Sequence, residues 1–154
     1  MAPIVLAAMV VPVARAQVCW DYRRPERRLA RKINRARAKR GIDRLRLDPQ
    51  ISKVSRVHTR EMIKRRKVFH TADSTLAGRV TNWRVLGENV GSTRAGARRI
   101  FRSMMRSALH RANMLDGTFN YIGVGTKRRR GRLWVTITLQ AVDNPGTTLR
   151  MPRC

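Results

Sequence analysis

Apolar positions recur at helical spacing in three stretches of the chain. From Pro25 to Arg40 they fall at Leu29, Ile33 and Ala36, with Pro25 suited to a first turn and Gly41 to a stop, which predicts a first helix. Asp48-Pro49 opens a second, running to about Lys64, with Asp48 as N-cap and a stripe of Ile51, Val54, Val57 or His58, and Met62. The third covers Thr93 to Arg106, burying Ala97, Ile100, Phe101, Met104 and Met105, and a further turn is expected from Ser107 to Met114. Between them, Val68 to Val85 is mixed, with a short helix over Thr75 to Val80 and a strand entered through Trp83 and Val85. Towards the C-terminus the period changes to two. Trp134, Thr136 and Thr138 alternate with Val135, Ile137 and Leu139, so Tyr121 to Gly125 and Leu133 to Leu139 predict strands around a turn at Lys127 to Gly131. Pro145, Gly146 and Pro152 make the tail irregular. Three helices flanking a small antiparallel sheet give an α+β layered fold.

At 154 residues and 42% apolar content, the chain fits one domain with a real core. No apolar run reaches the roughly eighteen residues that a membrane span needs. Met1 to Val13 is nearly all apolar and is followed by Ala14-Arg15-Ala16, a small-x-small cleavage pattern. Residues 1–16 therefore read as a signal peptide and 17–154 as the mature, secreted domain. Two cysteines, Cys19 and Cys154, stand at its two ends, and in an exported protein their disulfide is the simplest pairing. On the chain-entropy account a loop this long stabilises by up to ~5 kcal/mol.

Charge changes the picture most. Thirty-five Lys and Arg face nine Asp and Glu, for a net charge of +26. The excess is spread along the chain, with clusters at Arg23-Arg24, Arg27-Arg28, Lys64 to Lys67, Arg98-Arg99 and Lys127 to Arg130. Such a surface adheres to polyanions by counterion release, and nucleic acid, anionic lipid and acidic cell-wall polymer all qualify. Aromatics make up only 5%, and no RRM, zinc-finger or helix-turn-helix pattern occurs, so a specific nucleic-acid partner is not expected. Anionic envelope polymers or lipids, held by electrostatics, are. A coding bias towards arginine that merely solvates the surface is the alternative.

Histidine and carboxylate are scarce, with three His in all. Two of them bracket a glutamate in ordered motifs: His70 in Val68-Phe69-His70-Thr71, Glu88 in Gly87-Glu88-Asn89-Val90, and His110 in Ser107-Ala108-Leu109-His110. Two imidazoles and a carboxylate suit a zinc or other divalent metal site, an acid/base pair, or a hydrogen-bonded network tying segments together. No His-Glu-x-x-His spacing supports the metal locally, and no Gly-x-Ser-x-Gly elbow supports a serine nucleophile. Glu88 in a Gly-Glu-Asn turn is expected to accept backbone N–H groups. Ser107, three residues before His110, is read as a helix cap or turn residue, and His58, on the apolar stripe of the second helix, as a hydrogen-bonded core histidine. Asn34, Arg37, Asn89 and Asn113 suit the satisfaction of loop backbone.

Further segments stand in a telling order: Ile33-Asn34-Arg35-Ala36-Arg37 with Gly41, Leu45 to Asp48, His58-Thr59-Arg60-Glu61-Met62, Phe69-His70-Thr71, Gly87 to Val90, Ser107 with His110 to Leu115, and Tyr121-Ile122-Gly123-Val124-Gly125. Together, over about residues 26–140, they resemble the CAP superfamily (cysteine-rich secretory, antigen 5 and pathogenesis-related 1 proteins) in its compact bacterial form. The resemblance implies a three-layer α-β-α sandwich, secretion, and a cleft at His70, Glu88 and His110. Many relatives carry a second acid on the helix before the last histidine. Here no Asp or Glu lies between Glu88 and Asp116, and Met104 stands where the family has tryptophan. The expectation is an extracellular, monomeric binding or interaction module, with a metal-dependent hydrolase using the same cleft as the alternative.

Overall fold

A computed structural model describes residues 19–149 and 151. The expected signal peptide and Cys154, the expected partner of Cys19, lie outside the described residues. The chain forms α1 (Arg24–Ala38), β1 (Arg46–Leu47), α2 (Pro49–Arg65), α3 (Asp73–Arg79), β2 (Val85–Thr93), α4 (Ala97–Arg106), α5 (Ala108–Leu115), β3 (Tyr121–Arg129) and β4 (Arg132–Ala141). The strands make one sheet in the order β1-β3-β4-β2, antiparallel except for the short β1, which runs parallel to β3. Helices α1, α4 and α5 cover one face and α2 the other, which is the expected three-layer α+β arrangement.

The two faces of the sheet pack by different means. Towards α1 and α4, Val124, Leu133, Val135, Ile137 and Leu139 meet Leu29, Ile33, Ile100 and Met104 in one apolar core. Towards α2 the sheet presents small and hydroxylated residues. A Cβ on Gly123 would stand 2.3 Å from the Ile51 carbonyl carbon, and one on Gly125 2.3 Å from that of Ser55, so α2 rests directly on the β3 backbone. Hydroxyls satisfy what this approach buries: Ser55 Oγ meets Thr138 Oγ1 at 2.8 Å, Thr59 Oγ1 donates to Thr136 Oγ1 at 3.0 Å, and Val124 N donates to Ser52 Oγ at 3.1 Å.

Buried charged and polar groups clamp the layers. Glu26 is fully buried and accepts from Arg23 N at 2.9 Å, Thr126 N at 3.1 Å and Arg56 Nε at 2.9 Å, joining α1, β3 and α2. Arg37, also fully buried, donates to the carbonyls of Asp43, Met114, Asp116 and Phe119. Asn34 pairs with both N and O of Leu45, each at 2.9 Å. These asparagine and arginine roles match the expectation of loop satisfaction.

Three element boundaries correct the sequence reading. Gly87-Glu88-Asn89 is the middle of the nine-residue strand β2, with Glu88 opposite Thr138, rather than a turn. Its glycines admit neighbours: Gly87 lies under the Phe119 ring, and Gly91 under Ile100 and Met104. The third helix starts at Ala97 because Thr93 still pairs with Leu133 at the end of β2. The C-terminal hairpin runs on to Arg129 and Arg132, leaving Arg130 and Gly131 as the turn, both with left-handed backbone.

Candidate functional site

The site straddles β2, which is an edge of the sheet. Its first half comes from the loop after α2. Arg66, at φ 54°, turns the chain out of the helix, and the next residues are held from below. His58 is 1% exposed; its Nε2 lies 2.7 Å from Phe69 O and its Nδ1 3.1 Å from Glu61 Oε2, while the Phe69 ring meets it edge-on. Arg65 covers the same ring. The core role expected of His58 is thus to fasten this loop.

Thus held, Thr71 and His70 face Glu88. Thr71 N donates to Glu88 Oε1 at 2.9 Å, Thr71 Oγ1 donates to Oε2 at 2.7 Å, and His70 Nδ1 lies 3.1 Å from Oε1. A carboxylate only accepts, so in this contact the proton is on Nδ1 and Nε2 is the nitrogen left for a ligand or a proton. The Glu88 side chain is 5% exposed and that of His70 is 59% exposed. A buried acid therefore orients an exposed imidazole.

The second half comes from α5. Ser107, extended at φ −80°, ψ 125°, breaks the chain between α4 and α5. It stands at the N-cap position of α5, in keeping with a cap or turn residue, but its hydroxyl makes no capping hydrogen bond and lies 2.8 Å from His110 Nδ1, because the first helical turn brings residues three apart together. Asn113 Nδ2 donates to Glu88 O at 3.3 Å and to Asn89 Oδ1 at 3.0 Å, and Asn89 Nδ2 donates to His110 O at 2.9 Å. His110 also makes a hydrogen bond with the Val90 backbone. Residues i and i+3 of α5 thereby close alternate positions of the edge strand, which would otherwise offer free backbone groups. Burial pushes the His110 pKa down, the nearby His70 adds to the effect, and the Val90 hydrogen bond opposes both.

The fold thus brings His70, Glu88 and His110 to one edge, each with a partner of its own. The expected metal set does not fit. Among the described residues no three His, Cys, Asp or Glu side chains are arranged to hold an ion, and both Glu88 oxygens are already occupied by Thr71 and His70. One residue of the site has no role assigned from the sequence. Thr71 supplies both neutral donors to Glu88, and its place directly after His70 was the available signal. Ser107 stands out by its spacing from His110, but the direct contact depends on the extended backbone between α4 and α5, which spacing alone does not show.

Comparison with known proteins identifies the family. The cysteine-rich secretory protein family, CAP, matches residues 30–138. The chain belongs to this family. An extracellular protein of Bacillus anthracis containing an SCP domain superposes with a TM-score of 0.67 at 21% identity, covering 76% of this chain and 40% of that one. An outer surface protein of Borrelia burgdorferi gives 0.69 at 15% identity, with 76% of this chain and 92% of that one covered. Venom allergen-like protein 4 of Schistosoma mansoni gives 0.64 at 10%, with 84% and 96% covered. The CAP chain thus spans about 40% of the length of the Bacillus protein. No curated protein matches it. In this CAP domain Met104 is buried beneath Gly91, and β2 approaches α4 there without a side chain between them.

Proposed function

We propose that this CAP domain is exported by the segment 1–16, closed by a Cys19–Cys154 disulfide, and acts outside the cell as a monomeric binding module held on anionic envelope material. The neighbours named above as extracellular or outer-surface proteins support export. The observation that carries the binding reading is the placement of charge. Glu26, Asp48 and Glu88 are buried, and Glu61 is taken by Arg79. The hairpin brings Lys127, Arg128, Arg129, Arg130 and Arg132 side by side, and among the described residues none of them forms an ion pair. No helix among the described residues is long and apolar enough to cross a membrane.

Retention on isolated cell walls and on anionic liposomes tests the reading. Retention that survives His70→Ala and His110→Ala but is released by salt supports it, whereas equal retention at low and high salt defeats it.

A hydrolase using the same cleft is the second reading, favoured by the 2.8 Å contact between Ser107 Oγ and His110 Nδ1. Turnover on peptide or polymer libraries that disappears with both Ser107→Ala and His110→Ala would establish it. A metal-dependent version lacks a third ligand.

A further inference from the structure

Beside the histidine site, on the α2 face of the β3–β4 hairpin, lies an open groove of about 640 Å³. Its rim is cationic: Lys64 and Arg66 from the end of α2 on one side, Arg129, Arg130 and Arg132 from the hairpin on the other. Its floor is Ile63 and Trp134, the latter only 8% exposed. Val68 and Ser92 also line it, and they stand two residues from His70 and four from Glu88 along the same loop and strand. At about 3.3 Å per strand residue the groove ends roughly 13 Å from Glu88.

Local energetics set this groove apart. Among the described residues three non-glycine residues have left-handed backbone, and two of them, Arg66 at φ 54° and Arg130 at φ 47°, are arginines on this rim. Glycine or asparagine is the usual occupant of both settings, a helix C-cap and the first position of a two-residue hairpin turn. Arg129 and Arg132 are, in addition, direct cross-strand partners, a like-charge pair that destabilises a sheet. Three unfavourable placements of cations converge on one groove with no acid in it. Strained backbone of this kind clusters at ligand-binding positions, and an anion in the groove would relieve the like-charge repulsion.

We infer that this groove binds a polyol-phosphate polymer, a thin chain of alternating phosphodiesters and short polyols; the inference rests on the envelope-binding reading above and names its site and ligand. Arginine forks and a lysine match successive phosphates, and the carbon segments lie on Trp134 and Ile63. A nucleic acid fits less well, because a single tryptophan offers no series of aromatic faces for successive bases to stack on. A bilayer fits less well because the site is concave and the hairpin tip, Arg130-Gly131, carries no apolar side chain to insert.

Titration of the full chain with deacylated poly(glycerol phosphate), at several salt concentrations, tests this. The triple variant Lys64→Gln, Arg129→Gln, Arg130→Asn should bind roughly tenfold more weakly or worse, with a salt slope lower by about two to three. A matched triple on the exposed side of α4, Arg98→Gln, Arg99→Gln, Arg102→Gln, should stay within about twofold. At one polymer concentration the melting temperature of wild type should rise clearly more than that of the groove variant. Without polymer the groove variant should melt no lower than wild type, which separates lost binding from lost folding. Equal weakening by both triples overturns the groove while leaving the general surface reading standing. Absence of binding to both the polymer and whole cell walls defeats both. Tighter, groove-dependent binding of single-stranded DNA or of phosphatidylglycerol vesicles overturns the assignment of ligand.

Discussion

Glu88 takes both hydrogen-bond donors of Thr71, the backbone N–H at 2.9 Å and the hydroxyl at 2.7 Å, from the middle of a strand onto the loop that carries His70. Glu88 thus fastens a loop as well as facing a histidine. Thr71→Val keeps the shape and the backbone bond but removes the hydroxyl from a buried carboxylate. A hydrogen bond to a charged group is worth about 1.5–3 kcal/mol, and urea denaturation should show a loss of that size with an unchanged m-value. A loss below ~0.5 kcal/mol would mean that the carboxylate is solvated rather than held by Thr71.

His110 gives the site a pH dependence of defined sign. Its pKa is lowered in the folded protein by burial and by His70. Below the ordinary histidine value of about 6.5 the unfolded chain therefore binds the proton more readily than the folded one. Stability is complete above that value and declines as pH falls through it towards the lower folded pKa. His110→Gln should flatten this part of the profile, seen as a smaller drop in urea midpoint between neutral and mildly acidic buffer. A variant profile parallel to that of wild type would assign the acid sensitivity to another group.

The layered fold, the N-cap of α2 and the core face of β4 were legible because each is written in local period or turn chemistry, as with Asp48-Pro49 and the alternation through Leu139. β2 was not. Gly87, Asn89 and Gly91 carry the composition of a turn, and only Phe119, Asn113 and Met104, distant in sequence, make that composition suit a strand. At the site, motif order identified His70, Glu88 and His110. It could not show which oxygen of Glu88 each donor uses, and that geometry is what argues against a three-ligand metal centre.

Arg37 was legible as a residue that satisfies backbone, but not as a cation with four carbonyl partners and no exposure. Its guanidinium joins the end of α1 to the end of α5 and the approach to β3. Arg37→Met leaves those carbonyls without their donor and should cost about 3–5 kcal/mol. Arg37→Lys should recover little, since an ammonium cannot spread its donors over the same four acceptors. Thermal denaturation of the two variants checks both statements; near-wild-type stability of the lysine form would show that charge, not the planar fork, is what matters.

The contact between α2 and β3 rests on two glycines with no room for a Cβ. Gly123→Ala would place its methyl 2.3 Å from the Ile51 carbonyl carbon, which is backbone and cannot rotate away. The helix must lift from the sheet, loosening the hydroxyl pairs of Ser55 with Thr138 and of Thr59 with Thr136. We expect a loss of about 3 kcal/mol or more, with Gly125→Ala similar. Gly78 is the control. It lies in α3 with nothing within 4 Å of an added Cβ and no left-handed backbone, so Gly78→Ala should stabilise by roughly 0.4–1 kcal/mol. Denaturation of the three single variants separates the cause, because a general intolerance of alanine would lower all three. Close approach alone predicts opposite signs for the strand and helix positions.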